Sequence, residues 1–257
     1  INSWGGLAQT ASKTCSCGEA SGTCYKAPEH SHSYSCPSGY QSSSCASSQV
    51  QTGTISKVCS CGATSGTCYK CREPIAGDIL YSDGTISDSV IASKTPVGIV
   101  AYVNGSTGFA VALTESNQTW SSGYEDVSCL SNYNTSSTAM TDMNGKTNTM
   151  CLVNYSSSYS YPAAEYCNTF SAVSNGKGSS GWSLPAAGEL KAMSYSHGII
   201  NLGLQKLSTT QLSSSYYWSS SESSLYIGYA WVVRPSDGYM SDYSKIYSYH
   251  VRCVIAF

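Results

Sequence analysis

The sequence predicts an α+β domain with two helices and a small twisted antiparallel sheet, preceded by a disulfide-rich region of β-turn repeats. Three observations predict it. Nine of the thirteen cysteines lie before Arg72, between short polar spacers. Beyond Pro74, apolar residues alternate with polar ones around turn residues, the period of strands. Two later segments instead carry Pro at the first turn of an apolar stripe with helical spacing. Helices set apart from antiparallel strands distinguish α+β from a regularly alternating α/β chain.

The front of the chain repeats itself. Residues 13–26, KTCSCGEASGTCYK, recur at 57–70 as KVCSCGATSGTCYK, an offset of 44. Cys15, Cys17 and Cys24 therefore correspond to Cys59, Cys61 and Cys68, with Cys36 and Cys45 between the copies and Cys71 after them. Units this short hold too few apolar residues for a core, so covalent links replace burial. Residues 1–73 read as a stapled stalk or spacer and residues 74–257 as the head. Cys-x-Cys spacing and the pair His30, His32 also fit zinc. Low charge and abundant Ser, Thr and Tyr favour oxidised sulfurs in an exported protein. The odd total leaves one thiol free, bonded to another chain, or bonded to a part beyond this sequence. Covalent or stacked self-assembly through the N-terminal region is the matching expectation. No secretory leader is visible, and Ile1-Asn2-Ser3 reads as the start of a processed chain.

In the head, 77–87 (GDILYSDGTIS) alternates around Asp83-Gly84, a hairpin signature. Residues 97–103 (VGIVAYV) form a strand bounded by Pro96 and Asn104-Gly105, with 108–116 as its hairpin partner. Residues 117–159 read as a loop-rich insertion closed by a Cys129–Cys151 bridge. The first helix spans 162–173, with Pro162 in its first turn and Ala164, Cys167 and Phe170 on one face. The second spans 184–197, with Leu190 and Met193 on one face, His197 at its end and Gly198 terminating it. The segments YYWSS, YAWVV and YHVRCVIAF read as closing strands, separated by turns such as Ser236-Asp237-Gly238.

Composition narrows the function. Charged residues are 11% of the chain and the net charge is −2, so nothing pulls nucleic acid or an anionic membrane toward it. No run of eighteen apolar residues exists, which excludes direct insertion of a helix into a bilayer. No His-x-Glu, His-Glu-x-x-His or Gly-x-Ser-x-Gly motif occurs, and Cys253 lies in an apolar strand where thiols are inert. The chain is expected not to be an enzyme and to need no cofactor. The sugar-binding triplets that accompany calcium are absent, so no metal is expected either. Glu222 and Arg252 read as a charge pair bracing the frame. Residues 213–250 hold twelve Ser and eight Tyr. Tyr supplies rigid amphipathic area and Ser adaptable hydrogen bonds, the chemistry of an antibody paratope. That points to a binding surface.

The motifs GDILYSDGT, MTDMNGKTNT (140–149), AAEYC (163–167), GWSLPAAGEL (181–190), YYWSSSE (216–222), AWVV and HVRCVIAF together resemble a bacterial surface-protein family with a C-type lectin fold. That family is related in architecture to the formylglycine-generating enzyme, and several members are variable proteins of diversity-generating retroelements. The resemblance covers about 74–257. It implies a frame made of Trp218, Ser220, Glu222, Trp231, Gly238, Val251, Arg252 and Cys253. It implies displayed, diversified positions at Ser223, Leu225, Tyr226, Ile227, Tyr229, Val233, Arg234, Tyr239, Met240, Asp242, Tyr243, Ile246, Tyr247 and Tyr249. It further implies a Cys167–Cys253 bridge from the first helix to the last strand. The expected protein is an extracellular, cell-surface receptor or adhesin for a protein or glycan on another cell or phage. The alternative is a structural subunit of a surface appendage such as a pilus or fimbria.

Overall fold

A computed structural model describes residues 10–14, 20–25, 33–46, 49–59 and 64–257. The chain separates into two compact units, Ile1–Ser42 with Ile55–Cys68, and Ser43–Thr54 with Tyr69–Phe257. In the smaller unit, β1 (Thr10–Thr14) pairs antiparallel with β2 (Ala20–Tyr25). The 44-residue offset carries these strands onto the second repeat, where β3 (Val50–Val58) and β4 (Thr64–Arg72) are neighbours. Each repeat copy thus contributes a pair of neighbouring strands. Cys36–Cys68 staples the smaller unit, and Cys45–Cys71 closes a loop in the larger. Cys15, Cys17, Cys61, His30 and His32, with the zinc reading they raised, lie outside the described residues.

The larger unit is mixed α+β. One sheet has the order β11-β16-β8-β7-β5-β6-β3-β4, where β5 is Ile79–Tyr81, β6 Ile86–Ser87, β7 Pro96–Asn104, β8 Thr107–Ala112, β11 Trp182–Ser183 and β16 Val254–Ala256. The hairpins expected at 77–87 and 97–116 form its centre, with Ile79 opposite Ile99 and Ile99 opposite Val111. Successive side chains of β5 enter different clusters: Leu80 joins Val100, Trp182 and Trp218, while Ile79 joins Val111, Leu190 and Ile200. Strands covered on both faces need apolar residues at consecutive positions, hence the unbroken runs ILY (79–81) and VGIVAYV (97–103).

Among the described residues, five helices occupy this unit rather than two. They are α1 (Ser136–Ala139), α2 (Gly145–Asn154), α3 (Pro162–Thr169), α4 (Ala187–Ser194) and α5 (His197–Lys206). The loop expected at 117–159 in fact contains β9 (Ser116–Thr119), β10 (Asn132–Tyr133), α1 and α2. In α2 the apolar stripe is faint: Gly145, Asn148, Thr149 and Leu152 are its buried residues. Tertiary contact, not periodicity, makes it a helix. Gly198 does not end a helix; it lies in the first turn of α5, and His197 opens that helix instead of closing the one before. Leu190 and Met193 of α4 and Ile200 and Leu204 of α5 fill one cluster, and Leu152 of α2 with Ala163 and Ala164 of α3 fill the other. The Cys129–Cys151 bridge ties a loop to α2, and Cys167–Cys253 ties α3 to the segment before β16. Among the described residues no helix is long and apolar enough to cross a membrane.

Candidate functional site

The second sheet carries the Ser/Tyr segment. Its order is β14-β13-β12-β15-β9, with β10 on β12; β12 is Tyr217–Ser223, β13 Tyr229–Arg234, β14 Tyr239–Ser244 and β15 Ser248–Val251. Every frame residue named above is buried, including Trp218, Ser220, Glu222, Val251 and Arg252. The two tryptophans hold neighbouring chain in place. The Trp218 indole donates to the carbonyls of Gln118 (3.1 Å) and Tyr247 (3.2 Å), and the Trp231 indole to that of Tyr133 (3.1 Å).

The frame charges pair differently from the sequence expectation. Glu222 and Arg252 do not meet. Arg252 donates to Glu115 (3.1 Å) and to the carbonyls of Ala112 (2.6 Å) and Thr210 (2.8 Å). Glu222 pairs with Lys245, both fully buried. A charge needs its counter-ion within a few ångströms in a low-dielectric interior, and each of these carboxylates finds one on a different strand connection. Glu115 also accepts from the Tyr217 hydroxyl (2.7 Å) and contacts His250 Nδ1 at 3.1 Å. Burial pushes the Tyr217 phenol up and the Arg252 guanidinium down from their ordinary values.

Strand alternation divides the displayed set. From β14, Tyr239 and Tyr243 join Tyr216 and Tyr249 in an aromatic cluster. Tyr216 lies 6.3 Å from Tyr239, 5.3 Å from Tyr243 and 5.9 Å from Tyr249, centroid to centroid. Tyr249 meets the buried Trp218 edge-on at 5.2 Å. A hydrogen bond with Tyr216, then burial, pushes the Tyr243 phenol up to about 12. Arg234 caps the cluster, 5.6 Å over Tyr216 and 5.3 Å over Tyr239. Asp237 fixes that guanidinium with bonds of 2.6 and 3.0 Å and is itself held down at about 2 by it. The intervening residues turn inward. Met240 packs against both Val233 and Trp231 clusters, and Asp242 accepts from the Ser223 hydroxyl at 2.7 Å.

Two turns complete the surface. Residues 224–228 join β12 to β13, and 245–247 join β14 to β15. Leu225, Tyr226, Ile227, Ile246 and Tyr247 are all exposed, from 42% for Ile246 to 62% for Tyr226. The Lys245 amide donates to the Gly228 carbonyl (2.7 Å) and its ammonium to that of Ile227 (2.8 Å), locking one turn to the other. A Cβ at Gly228 would sit 2.5 Å from the Tyr124 ring, so a larger residue there would displace that ring. Tyr226 and Tyr229 rings lie 5.0 Å apart.

The structure therefore corrects part of the displayed set. Ser223 and Val233 are fully buried: Ser223 bonds to Asp242, and Val233 belongs to the core with Tyr217 and Val254. Tyr229, Arg234, Met240, Asp242, Tyr243 and Tyr249 are half-buried. Tyr216, the hub of the aromatic cluster, was missed because it adjoins the frame motif. Its neighbour Tyr217 is fully buried, and alternation alone would have placed Tyr216 outside.

Among known families, a model described as the Lcl C-terminal domain matches residues 114–255. That span contains every strand of the tyrosine-bearing sheet. No curated protein matches the chain.

Proposed function

The chain belongs to the Lcl C-terminal domain family, and from that premise we propose that it is an extracellular, cell-surface ligand-binding protein, a receptor or adhesin with a C-type-lectin-type frame. Its four described disulfides suit an oxidising compartment. One observation carries the reading. Leu225, Tyr226, Ile227, Ile246 and Tyr247 stand in water on two turns that a fully buried ion pair locks together. Large apolar and aromatic groups on rigid supports supply most of the energy of macromolecular interfaces. Binding is favoured over catalysis because Cys167 and Cys253 are spent in a disulfide and offer no thiolate. The ligand is a protein or glycan on another cell or phage, and the exposed positions are those a retroelement would diversify. A reverse transcriptase gene beside a near-copy of the 3′ end, differing at adenines, would establish the diversification.

The test uses the labelled intact chain against bacterial cells, phage particles and a glycan array. Tyr226→Ser/Ile227→Ser/Tyr247→Ser is expected to weaken binding at least about tenfold, a loss of about 1.4 kcal/mol, with thermal stability nearly unchanged. Unchanged binding rejects the surface. If the same variant instead abolishes concentration-dependent assembly of the chain, the appendage-subunit reading takes its place.

A further inference from the structure

A second site lies on the other sheet, with no tyrosine in its lining. A cleft of about 570 Å³ opens between the Asp83-Gly84 turn, the start of α2 and the glycine-rich loop 176–181. Lys146 and Lys177 both line it. We propose that this cleft binds a phosphate monoester, held as a dianion between Lys146 and Lys177.

The two ammoniums are placed against ordinary electrostatics. Among the described residues, neither has a carboxylate or carbonyl partner; Lys57 and Lys70 also lack one, but only Lys146 and Lys177 share a cleft, whereas Lys94, Lys191, Lys206 and Lys245 are each paired. Lys146 is the second residue of α2, whose first turn contains no acidic residue. A cation there opposes the helix dipole, which favours anions at that end. Lys177 is half-buried, and burial first, then Lys146, pull its ammonium below the ordinary value. The carboxylate in the cleft cannot neutralise them: Asp83 is paired with Lys94 at 2.7 Å and held at about 2 by that bond and by Thr85.

The loop is built to hold this arrangement. Gly176 has φ +80°, and a Cβ there would meet the Ser82 carbonyl at 2.4 Å. That close approach lets the Lys177 amide bond to the same carbonyl at 2.7 Å, which fixes Lys177 at the wall of the cleft. The Ser180 residue adds a hydroxyl to the lining. Charge decides the ligand class. A carboxylate, sulfate ester or phosphodiester carries one negative charge and leaves the other ammonium unneutralised. A phosphate monoester carries about −1.5 to −2 at neutral pH and matches the pair.

The intact chain is titrated with O-phosphoserine and with O-sulfoserine at constant ionic strength, following amide 1H–15N shifts of residues 176–181. Vesicles containing phosphatidic acid, a monoester, are compared with vesicles containing phosphatidylglycerol, a diester. Saturable shifts with O-phosphoserine and weak ones with O-sulfoserine are expected. K146Q, at an exposed position, and K177Q, at a half-buried one, each weaken them about tenfold or more, and the ammonium of Lys177 titrates higher when the monoester is bound. A response to phosphatidic acid vesicles but not phosphatidylglycerol identifies a lipid headgroup as the source, and a response confined to O-phosphoserine identifies a soluble or macromolecular phosphate. Equal response to sulfate and phosphate esters, or shifts that survive K146Q/K177Q, would overturn the proposal. Tyr226→Ser/Tyr247→Ser leaves this titration unchanged, so its failure does not touch the receptor reading.

Discussion

Lys245 sits in a strand connection, where lysine ordinarily points to water, yet it is fully buried. Its ammonium donates to Glu222 and to the carbonyls of Glu125 (2.6 Å) and Ile227 (2.8 Å), and lies 4.7 Å over Trp120. All three donors are used. Glu222 also accepts from the Val127 amide at 3.1 Å. Burial pushes its carboxyl above the ordinary value, against the pull of Lys245. The pair therefore joins the frame to the turn that carries Ile227. Removing one partner strands the other charge in the interior. Lys245→Met is expected to cost about 3–5 kcal/mol in urea unfolding, and Glu222→Gln/Lys245→Met to recover part of it. A cost for the single variant below about 1 kcal/mol would show that the lock contributes little.

At the level of elements, α4 and the bridges make separable predictions. Glu189 is the third residue of α4 and accepts from the Ala186 amide at 2.8 Å. Burial first, and the nearby Asp142 after it, push its carboxyl from 4.5 up to about 7, against that bond. Between these values the folded chain holds a proton that the unfolded chain has released. Its contribution to stability is thus full below pH 4.5 and is lost as pH rises toward 7. Glu189→Gln should flatten the fall in stability over that window, measured by denaturation at fixed pH steps; a slope identical to wild type contradicts the assignment. The bridges differ in the loops they close, 86 residues for Cys167–Cys253 and 22 for Cys129–Cys151. Chain entropy then makes loss of the longer one costlier by about 1 kcal/mol. Alanine pairs at each bridge, compared by thermal melting, check the order.

Over the whole molecule, accessibility predicts the order of reduction. Cys129 is exposed, while Cys167 and Cys253 are fully buried or nearly so. Thiolate attack requires access. Trapping with an alkylating agent during mild reduction should find Cys129–Cys151 open before Cys167–Cys253. An early loss of the buried bridge would mean that α3 opens readily from the sheet. The two sheets share the core but not the surface: β5, β7 and β8 of one are buried on both faces, while the other adds Trp218, Val232 and Val233 to the core and carries tyrosines over Trp218.

Much of this was legible in the chain. The Asp83-Gly84 turn and the apolar run at 97–103, bounded by Pro96 and Asn104-Gly105, marked the central hairpins, because a strand buried on both faces has to be apolar throughout. The resemblance supplied the Cys167–Cys253 bridge and the frame positions. What the chain could not disclose depended on which faces meet. The faint stripe of α2 hides a helix, and the register shift in β12 between Trp218 and Glu222 hides which serines face inward. By itself the sequence determined the class of the domain, its turns and its tyrosine-rich surface, since these follow from local periodicity and side-chain chemistry. Only the tertiary structure decided that Glu222 answers Lys245 and Arg252 answers Glu115, that Ser223 and Val233 are interior, and that Lys146 and Lys177 share a cleft. Charge pairing and burial depend on distances between segments far apart in the chain, which no spacing along it records.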